Sequence, residues 1–113
     1  NNMNWYKQAQ SAMLGYKVMR VENGVLVSGA NSRLTLPMEI GAIHSMPGHG
    51  IYMGKSPEYV KNYYSSSEDP DDPKEVLITY QFNIDDVTHG NLEDREWEIS
   101  VPQAKVINIE AIN

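Results

Sequence analysis

The sequence predicts a single α+β domain in which one or two short helices pack against a mostly antiparallel sheet. The chain has 113 residues, which fits one domain and leaves no room for separate cofactor and substrate domains. Residues 56–58 carry a strong helix start, whereas residues 75–112 contain apolar strand patterns with no long helix between them. Consecutive strands without intervening helices favour antiparallel pairing.

The first fifteen residues are expected to form a short helix or a tail that precedes the domain core. Apolar residues recur at spacings of one, three and four between residues 4 and 14, and Gly15 would end such a helix. Residues 16–22 then alternate as a strand, and Asn23-Gly24 predicts a tight turn into residues 25–27. This segment predicts a β-hairpin.

The middle of the chain predicts a loop followed by a strand and a helix. Residues 28–50 are rich in glycine and proline, and within them only residues 34–43 are apolar enough for a strand fragment. Residues 51–53 predict a short strand. Residues 56–58 (Ser-Pro-Glu) supply a capping hydroxyl, a proline for the first helical position and a carboxylate for the first turn. A helix is therefore expected to about residue 64.

The C-terminal half predicts most of the sheet. Residues 65–74 contain no apolar side chain and predict a mobile surface loop. Residues 75–83 predict a buried strand and residues 84–87 a turn of helix. Residues 95–101 and 105–112 predict two further strands.

Composition narrows the classes of function. Fifteen acidic against nine basic residues give a formal charge of -6, which argues against a nonspecific nucleic-acid binder. No apolar run is long enough to span a membrane. The absence of cysteine excludes disulfides, thiolate metal sites and a cysteine nucleophile, and it is compatible with a reducing cytoplasm. We expect a soluble, cytoplasmic protein.

The histidines and glycines predict neither a metal site nor a nucleotide-triphosphate loop. His44 and His49 lie five residues apart in a glycine-rich stretch, which is no recognised ligand spacing, so both are interpreted as solvated polar residues. The segment 48–56 resembles a phosphate-binding loop, but its glycines are one position off the required spacing. No metal cofactor is expected.

Four of the seven tyrosines lie within thirteen residues: Tyr52, Tyr59, Tyr63 and Tyr64. On a helix that starts at Pro57, Tyr59 and Tyr63 are one turn apart on one face. Two tyrosines that flank a gap can hold a planar ring between them, with their hydroxyls available to the rest of a ligand. The alternative is that they only pack the helix on the sheet.

The segment 95–101 alternates, with Trp97 and two later apolar residues on the core face and Glu96, Glu98 and Ser100 on the other. At strand geometry the two carboxylates lie about 7 Å apart. Paired carboxylates can serve as acid or base, or can accept hydrogen bonds from ribose hydroxyls and stabilise an oxocarbenium-like cation. The alternative is a solvated strand face.

These residues carry a resemblance to a known family. Gly50-Ile51-Tyr52 and Lys61-Asn62-Tyr63-Tyr64 resemble the Gly-Ile-Tyr and Ala-Asn-Tyr signatures of the poly(ADP-ribose) polymerase group in the ADP-ribosyltransferase superfamily. The separation of the two tyrosines also matches that group. Glu96-Trp97-Glu98 is similar to the Glu-x-Glu element near the C-terminus of many transferases of this superfamily.

The resemblance implies a small split-sheet fold of the ADP-ribosyltransferase type over residues 16–113, with NAD as substrate. In the family the second glutamate, here Glu98, holds the nicotinamide-side ribose and stabilises the oxocarbenium ion. Glu96 would activate an acceptor, and an arginine on the first strand, here Arg20, would hold a phosphate or ribose. The implied NAD-binding residues are Arg20, Gly50, Tyr52, Tyr59 and Tyr63.

Three functions remain open from the sequence. The first is a mono-ADP-ribosyltransferase or a related NAD-cleaving domain, with a protein as candidate acceptor. The second is a catalytically inactive binding or regulatory module on the same fold, of phage or bacterial origin. The third is a structural or assembly protein in which the tyrosines are core residues and the acids face solvent.

Overall fold

The structure, a computed structural model, describes residues 12–28, 34–64 and 75–112, and the side chains of Tyr63 and Tyr64 lie outside that description. Within these residues the chain forms eight strands, one α-helix and one 3-10 turn. The elements are β1 (Ala12–Glu22), β2 (Val25–Ser28), β3 (Leu34–Leu36), β4 (Ile43–Ser45), β5 (Ile51–Gly54), α1 (Pro57–Tyr64), β6 (Glu75–Asn83), the 3-10 turn (Ile84–Asp86), β7 (Glu98–Val101) and β8 (Gln103–Ala111). The α+β class is confirmed.

The strands form one antiparallel sheet with a branch. Its main path runs β3-β2-β1-β6-β8-β4, and β5 and β7 form a second pair that joins the path at β1. The central pairing is between β1 and β6, which are in register from Ala12↔Asn83 to Arg20↔Glu75. Every pairing between these strands is antiparallel.

The branch divides one edge of β1 between two neighbours. On this edge β5 pairs with β1 at Tyr16↔Gly54, and β2 pairs with it from Arg20↔Val27 onward. Between these two points lie residues 17–19, which pair with β6 on the opposite edge of β1. On the edge shared by β2 and β5 they have no strand partner in the described part of the chain. The sheet therefore opens at this unpaired edge of β1.

The core lies between the main path and the β5–β7 pair. One face of β6 contributes alternate buried residues, and β5 and β7 contribute Ile51, Met53, Ile99 and Val101. Trp97 fills the space beside β7 and packs edge-to-face on Phe82, with ring centroids 6.0 Å apart. Such contacts hold the two parts of the sheet together by burying apolar surface.

Most predicted elements are confirmed. The hairpin has Asn23 and Gly24 at positive φ (52° and 79°), as a tight two-residue turn requires. The strand at 51, the helix from 57 to 64, the strand over 75–83 and the following helical turn lie where they were predicted. No helix in the described segments is long and apolar enough to cross a bilayer.

Other predictions were wrong or fall outside the described residues. The predicted helix over 4–14 is wrong at residues 12–14, which begin β1 because they pair with β6. The strand predicted from 95 begins only at Glu98. In place of the strand fragment predicted within residues 34–43, β3 ends at Leu36 and β4 begins only at Ile43, with the segment from Pro37 to Ala42 between them. Residues 1–11 and the acidic loop 65–74 are outside the description.

His44 was expected to be solvated, and this expectation was wrong because its side chain is fully buried. Its Nε2 donates to the Pro37 carbonyl at 2.8 Å, so its Nδ1 accepts the Tyr80 hydroxyl at 2.6 Å. Burial lowers the pKa of His44, against the opposing effect of the Pro37 hydrogen bond, and burial raises the pKa of Tyr80. Both groups are therefore neutral and serve the core.

Candidate functional site

A cavity of about 260 Å³ lies where the sheet opens at β1. Its walls come from three elements of the sheet and from the helix. It is lined by Tyr16, Lys17, Val18, Tyr52, Met53, Gly54, Val60 and Glu98. We call this space the junction cavity. Its place follows from the topology, because the edge of β1 that borders it carries no strand partner among the described residues.

One row of residues across three strands sets the width of the junction cavity. Tyr16 in β1 pairs with Gly54 in β5, and Gly54 pairs with Glu98 in β7. Since neighbouring strands lie about 4.8 Å apart, the Cα atoms of Tyr16 and Glu98 are about 10 Å apart. A tyrosine and a carboxylate thus face the same side of the sheet with only a glycine between them.

Helix α1 packs an apolar side chain directly against Gly54. A Cβ atom on Gly54 would lie 2.6 Å from Cγ1 of Val60, whose side chain is buried. The Tyr59 ring lies at the edge of the same contact, with Cδ1 4.0 Å from that Cβ position. Glycine is therefore required at this position for the helix to approach β5.

Tyr52 lies on the next rung of the same face. It pairs with Ser100, so it is a diagonal neighbour of Glu98, on the order of 7 to 8 Å away. The Tyr52 side chain is 45% exposed, so its ring is open to solvent. An aromatic ring and a carboxylate on the same open surface can together hold a planar, hydroxyl-bearing ligand.

Ser100 was predicted to lie beside Glu96 and Glu98 on the face away from the core, with a solvated strand face as the alternative, and the structure buries Ser100 completely. Its hydroxyl is 3.1 Å from His89 Nδ1 and 3.1 Å from Thr88 Oγ1. Backbone hydrogen bonds link the same segments, from Thr88 N to Ser100 O and from Ser100 N to His89 O. These bonds fix β7, the strand on which Glu98 lies.

Lys17 is the one lysine that lines the junction cavity in the described part of the chain. It lies between Gly15 and Met19 on the face of β1 that points to the core. Its partner in β6 is the fully buried Ile78. Burial lowers the pKa of the Lys17 ammonium, because water cannot fully solvate the charge there.

Two of the predicted site residues, Tyr52 and Glu98, meet at the junction cavity. Tyr59 lies beside it, next to Gly54. Tyr63 is on the same helix, but its side chain lies outside the described residues.

Arg20, Glu96 and Gly50 do not line the junction cavity. Arg20 lies where β2 joins β1, and it pairs with Val27 and Glu75. Gly50 has φ of 80°, and a Cβ atom there would lie 2.5 Å from the Val101 carbonyl oxygen. This glycine allows the backbone of β5 to approach β7 closely.

The Glu96 carboxylate contacts the capping residue of helix α1. Its Oε2 accepts a hydrogen bond of 3.2 Å from the Ser56 hydroxyl, which itself accepts from the Tyr59 backbone N–H at 3.2 Å. The same segment is held by Lys55, whose backbone N–H donates to Trp97 O and whose Nζ donates to Arg95 O. These contacts tie the start of α1 to the residues that precede β7.

Sequence reasoning did not predict the other six residues that line the cavity: Tyr16, Lys17, Val18, Met53, Gly54 and Val60. A signal for Lys17 was present, since the alternation of β1 places it on the same face as Met19 and Val21. Tyr16 and Val60 carried no such signal, because their proximity depends on the pairing of β1 with β5 and on the closeness of the helix to Gly54.

No group of three histidine, cysteine, aspartate or glutamate side chains that could hold a metal ion occurs among the described residues. The junction cavity combines aromatic surface, one carboxylate and one cation.

Comparisons with protein-family models, with curated proteins and with solved structures found no match.

Proposed function

We propose that this domain binds NAD at the junction cavity and cleaves the bond between nicotinamide and ribose, as a mono-ADP-ribosyltransferase-like or NAD-cleaving domain. The observation that carries the proposal is the convergence of Tyr52 and Glu98 on one cavity. The family resemblance assigns Tyr52 to NAD binding and Glu98 to the ribose and the oxocarbenium ion, and these two residues lie far apart in the sequence.

The chemistry of the junction cavity fits this bond cleavage. As nicotinamide leaves, positive charge develops on the ribose, and an ionised carboxylate in a partly enclosed space stabilises that charge. The Glu98 carboxylate can also accept hydrogen bonds from the ribose hydroxyls and hold the ring in place. Tyr52 offers its ring to the planar nicotinamide.

The topology supports the finer fold proposal, a split sheet of the ADP-ribosyltransferase type. The strand with Gly50-Ile51-Tyr52 pairs directly with the strand that begins at Glu98. The pair joins the main path where β5 meets β1, and the tyrosine-bearing helix follows β5 in the sequence. The acceptor we propose is a protein, and the acidic composition makes nucleic acid the weaker candidate.

Nicotinamide release from NAD, measured by chromatography, tests the proposal. The chain offers a matched pair, Glu98→Gln and Glu96→Gln, with the same chemical change two residues apart. Glu98→Gln should lower the rate about a hundredfold or more, because it removes the charge that stabilises the transition state. Glu96→Gln should leave hydrolysis near the wild-type rate, since Glu96 contacts Ser56 and does not line the junction cavity.

The second candidate is a module that binds NAD without turnover. It is favoured by the positions of Arg20 and Glu96, which lie outside the junction cavity. A wild-type domain whose thermal midpoint rises with NAD, but which releases no nicotinamide with or without candidate protein acceptors, would support this function. If NAD neither shifts the midpoint nor is cleaved, both candidates are wrong.

A further inference from the structure

We propose that Lys17 is the cationic residue of the junction cavity and binds the negatively charged group of its ligand. Naming that group as the diphosphate of NAD rests on the proposed function. The proposal itself stands on the position of Lys17 on β1.

The position is unusual for a lysine. Alternate residues of β1 place Lys17 on the core-facing side, between Gly15 and Met19. A Cβ atom on Gly15 would clash with the sulfur of Met53, so this side of β1 packs directly against β5. Neighbouring positions on this face hold small or apolar residues, and a charged residue there costs stability unless a partner compensates it.

The sheet leaves room for a ligand to be that partner. Residues 17–19 form the unpaired edge of β1 in the described part of the chain, and the junction cavity opens beside it. In the described part of the chain, burial alone lowers the pKa of Lys17. A bound anion would reverse this effect, because it replaces the lost solvation of the ammonium with a direct charge interaction.

The charges of the junction cavity also restrict what the ligand is. Glu98 would repel an anion, so the anionic group must lie toward Lys17 and a hydroxyl-bearing group toward Glu98. Tyr16 and Tyr52 add aromatic surface for an apolar or planar part. A ligand with separate planar, hydroxylated and anionic parts fits this arrangement, and Lys17 would select for the anionic part.

Calorimetric titration of wild type and two lysine variants tests the assignment. Lys17→Met should weaken binding of ADP-ribose about tenfold to a hundredfold and leave binding of nicotinamide unchanged, since nicotinamide has no anionic group. Lys55→Met is the matched control. Lys55 contacts the Arg95 carbonyl away from the junction cavity, so this variant should bind both ligands as wild type does. Methionine fills the same space, so Lys17→Met should fold with at least wild-type stability.

Trace acetylation followed by mass spectrometry gives a readout that does not depend on NAD. Inorganic pyrophosphate should slow acetylation of Lys17 and leave Lys55 unaffected. Wild-type affinity of Lys17→Met for ADP-ribose would overturn the assignment. If the wild-type protein binds no ADP-ribose, the proposed function fails and the labelling decides: protection of Lys17 by pyrophosphate supports an anion site, and its absence overturns it.

Discussion

Replacing Gly54 with alanine tests the contact on which the junction cavity depends. The added Cβ would lie 2.6 Å from Cγ1 of Val60, well inside van der Waals contact. Val60 is 1% exposed and lies on a helix whose first turn is tied to Ser56, so it has little freedom to move away. We expect Gly54→Ala to displace the helix from β5 and to destabilise the domain.

The size of the effect follows from known costs of overpacking. Inserting one methyl group into a well-packed site typically costs about 1 to 3 kcal/mol. Val60→Ala alone removes two buried methyl groups and should cost about 1.5 to 2.5 kcal/mol. In the double variant the new methyl at position 54 enters the space that Cγ1 has left. The double variant should therefore lose less unfolding free energy than the sum of the two single losses. The difference should be at least about 1 kcal/mol.

Urea unfolding of the four proteins, followed by tryptophan fluorescence, measures this coupling. Trp97 is buried beside β7 and reports on the core. NAD affinity of the same proteins would show whether the helix position matters for the ligand. Additive losses, with no coupling between positions 54 and 60, would refute the close approach of the helix to Gly54 and with it the helix wall of the junction cavity.

Two further predictions concern the residues that support the site. His44→Ala should cost about 2 to 5 kcal/mol in urea unfolding, because it leaves the Tyr80 hydroxyl and the Pro37 carbonyl buried without their partner. The pKa of His44 is lowered, so wild type should keep this stability above about pH 6.5 and lose it as the pH falls below, where the unfolded chain binds the proton first. An equal pH dependence in His44→Ala would contradict this. Ser56→Ala should cost about 1 kcal/mol, since it removes the cap from Tyr59 N–H and the hydrogen bond to Glu96. A Ser56→Thr control should retain most of that stability, and full stability of Ser56→Ala would show that the cap contributes nothing.

The sequence predicted the elements whose signals are local. The hairpin turn depends on two adjacent residues that tolerate positive φ, and the helix start depends on residues 56–58. The strand over 75–83 has an apolar pattern that no helix period fits. The helix predicted over residues 4–14 is wrong at residues 12–14, because apolar spacing over so short a span does not distinguish a helix from a strand. Pairing with β6 makes these residues part of a strand.

The sequence predicted only those residues of the candidate site that belong to a pattern with a recognisable chemical role. Tyr52 and Glu98 were found because an aromatic cluster and alternating carboxylates are visible in the sequence. Glu96 has the same pattern, and its contact with Ser56 depends on how the segment before β7 packs against the helix. Arg20 lies three residues after Lys17, on the opposite face of β1 and at the point where β2 pairs with β1, and that pairing is a property of the whole sheet.

The most informative residue of the site is therefore the one whose environment disagrees with its type. A lysine on the core face of a central strand opposes the pattern that otherwise specifies β1, and such conflicts are concentrated at functional sites. Among the residues that the structure describes, the edge of β1 beside Lys17 has no strand partner, which is a second departure from regular structure, and both features border the same cavity. A chain that opens its sheet and places a desolvated charge at the opening has lost stability at that point. Binding of an anionic ligand there would supply an interaction partner for the ammonium and is expected to stabilise this part of the sheet.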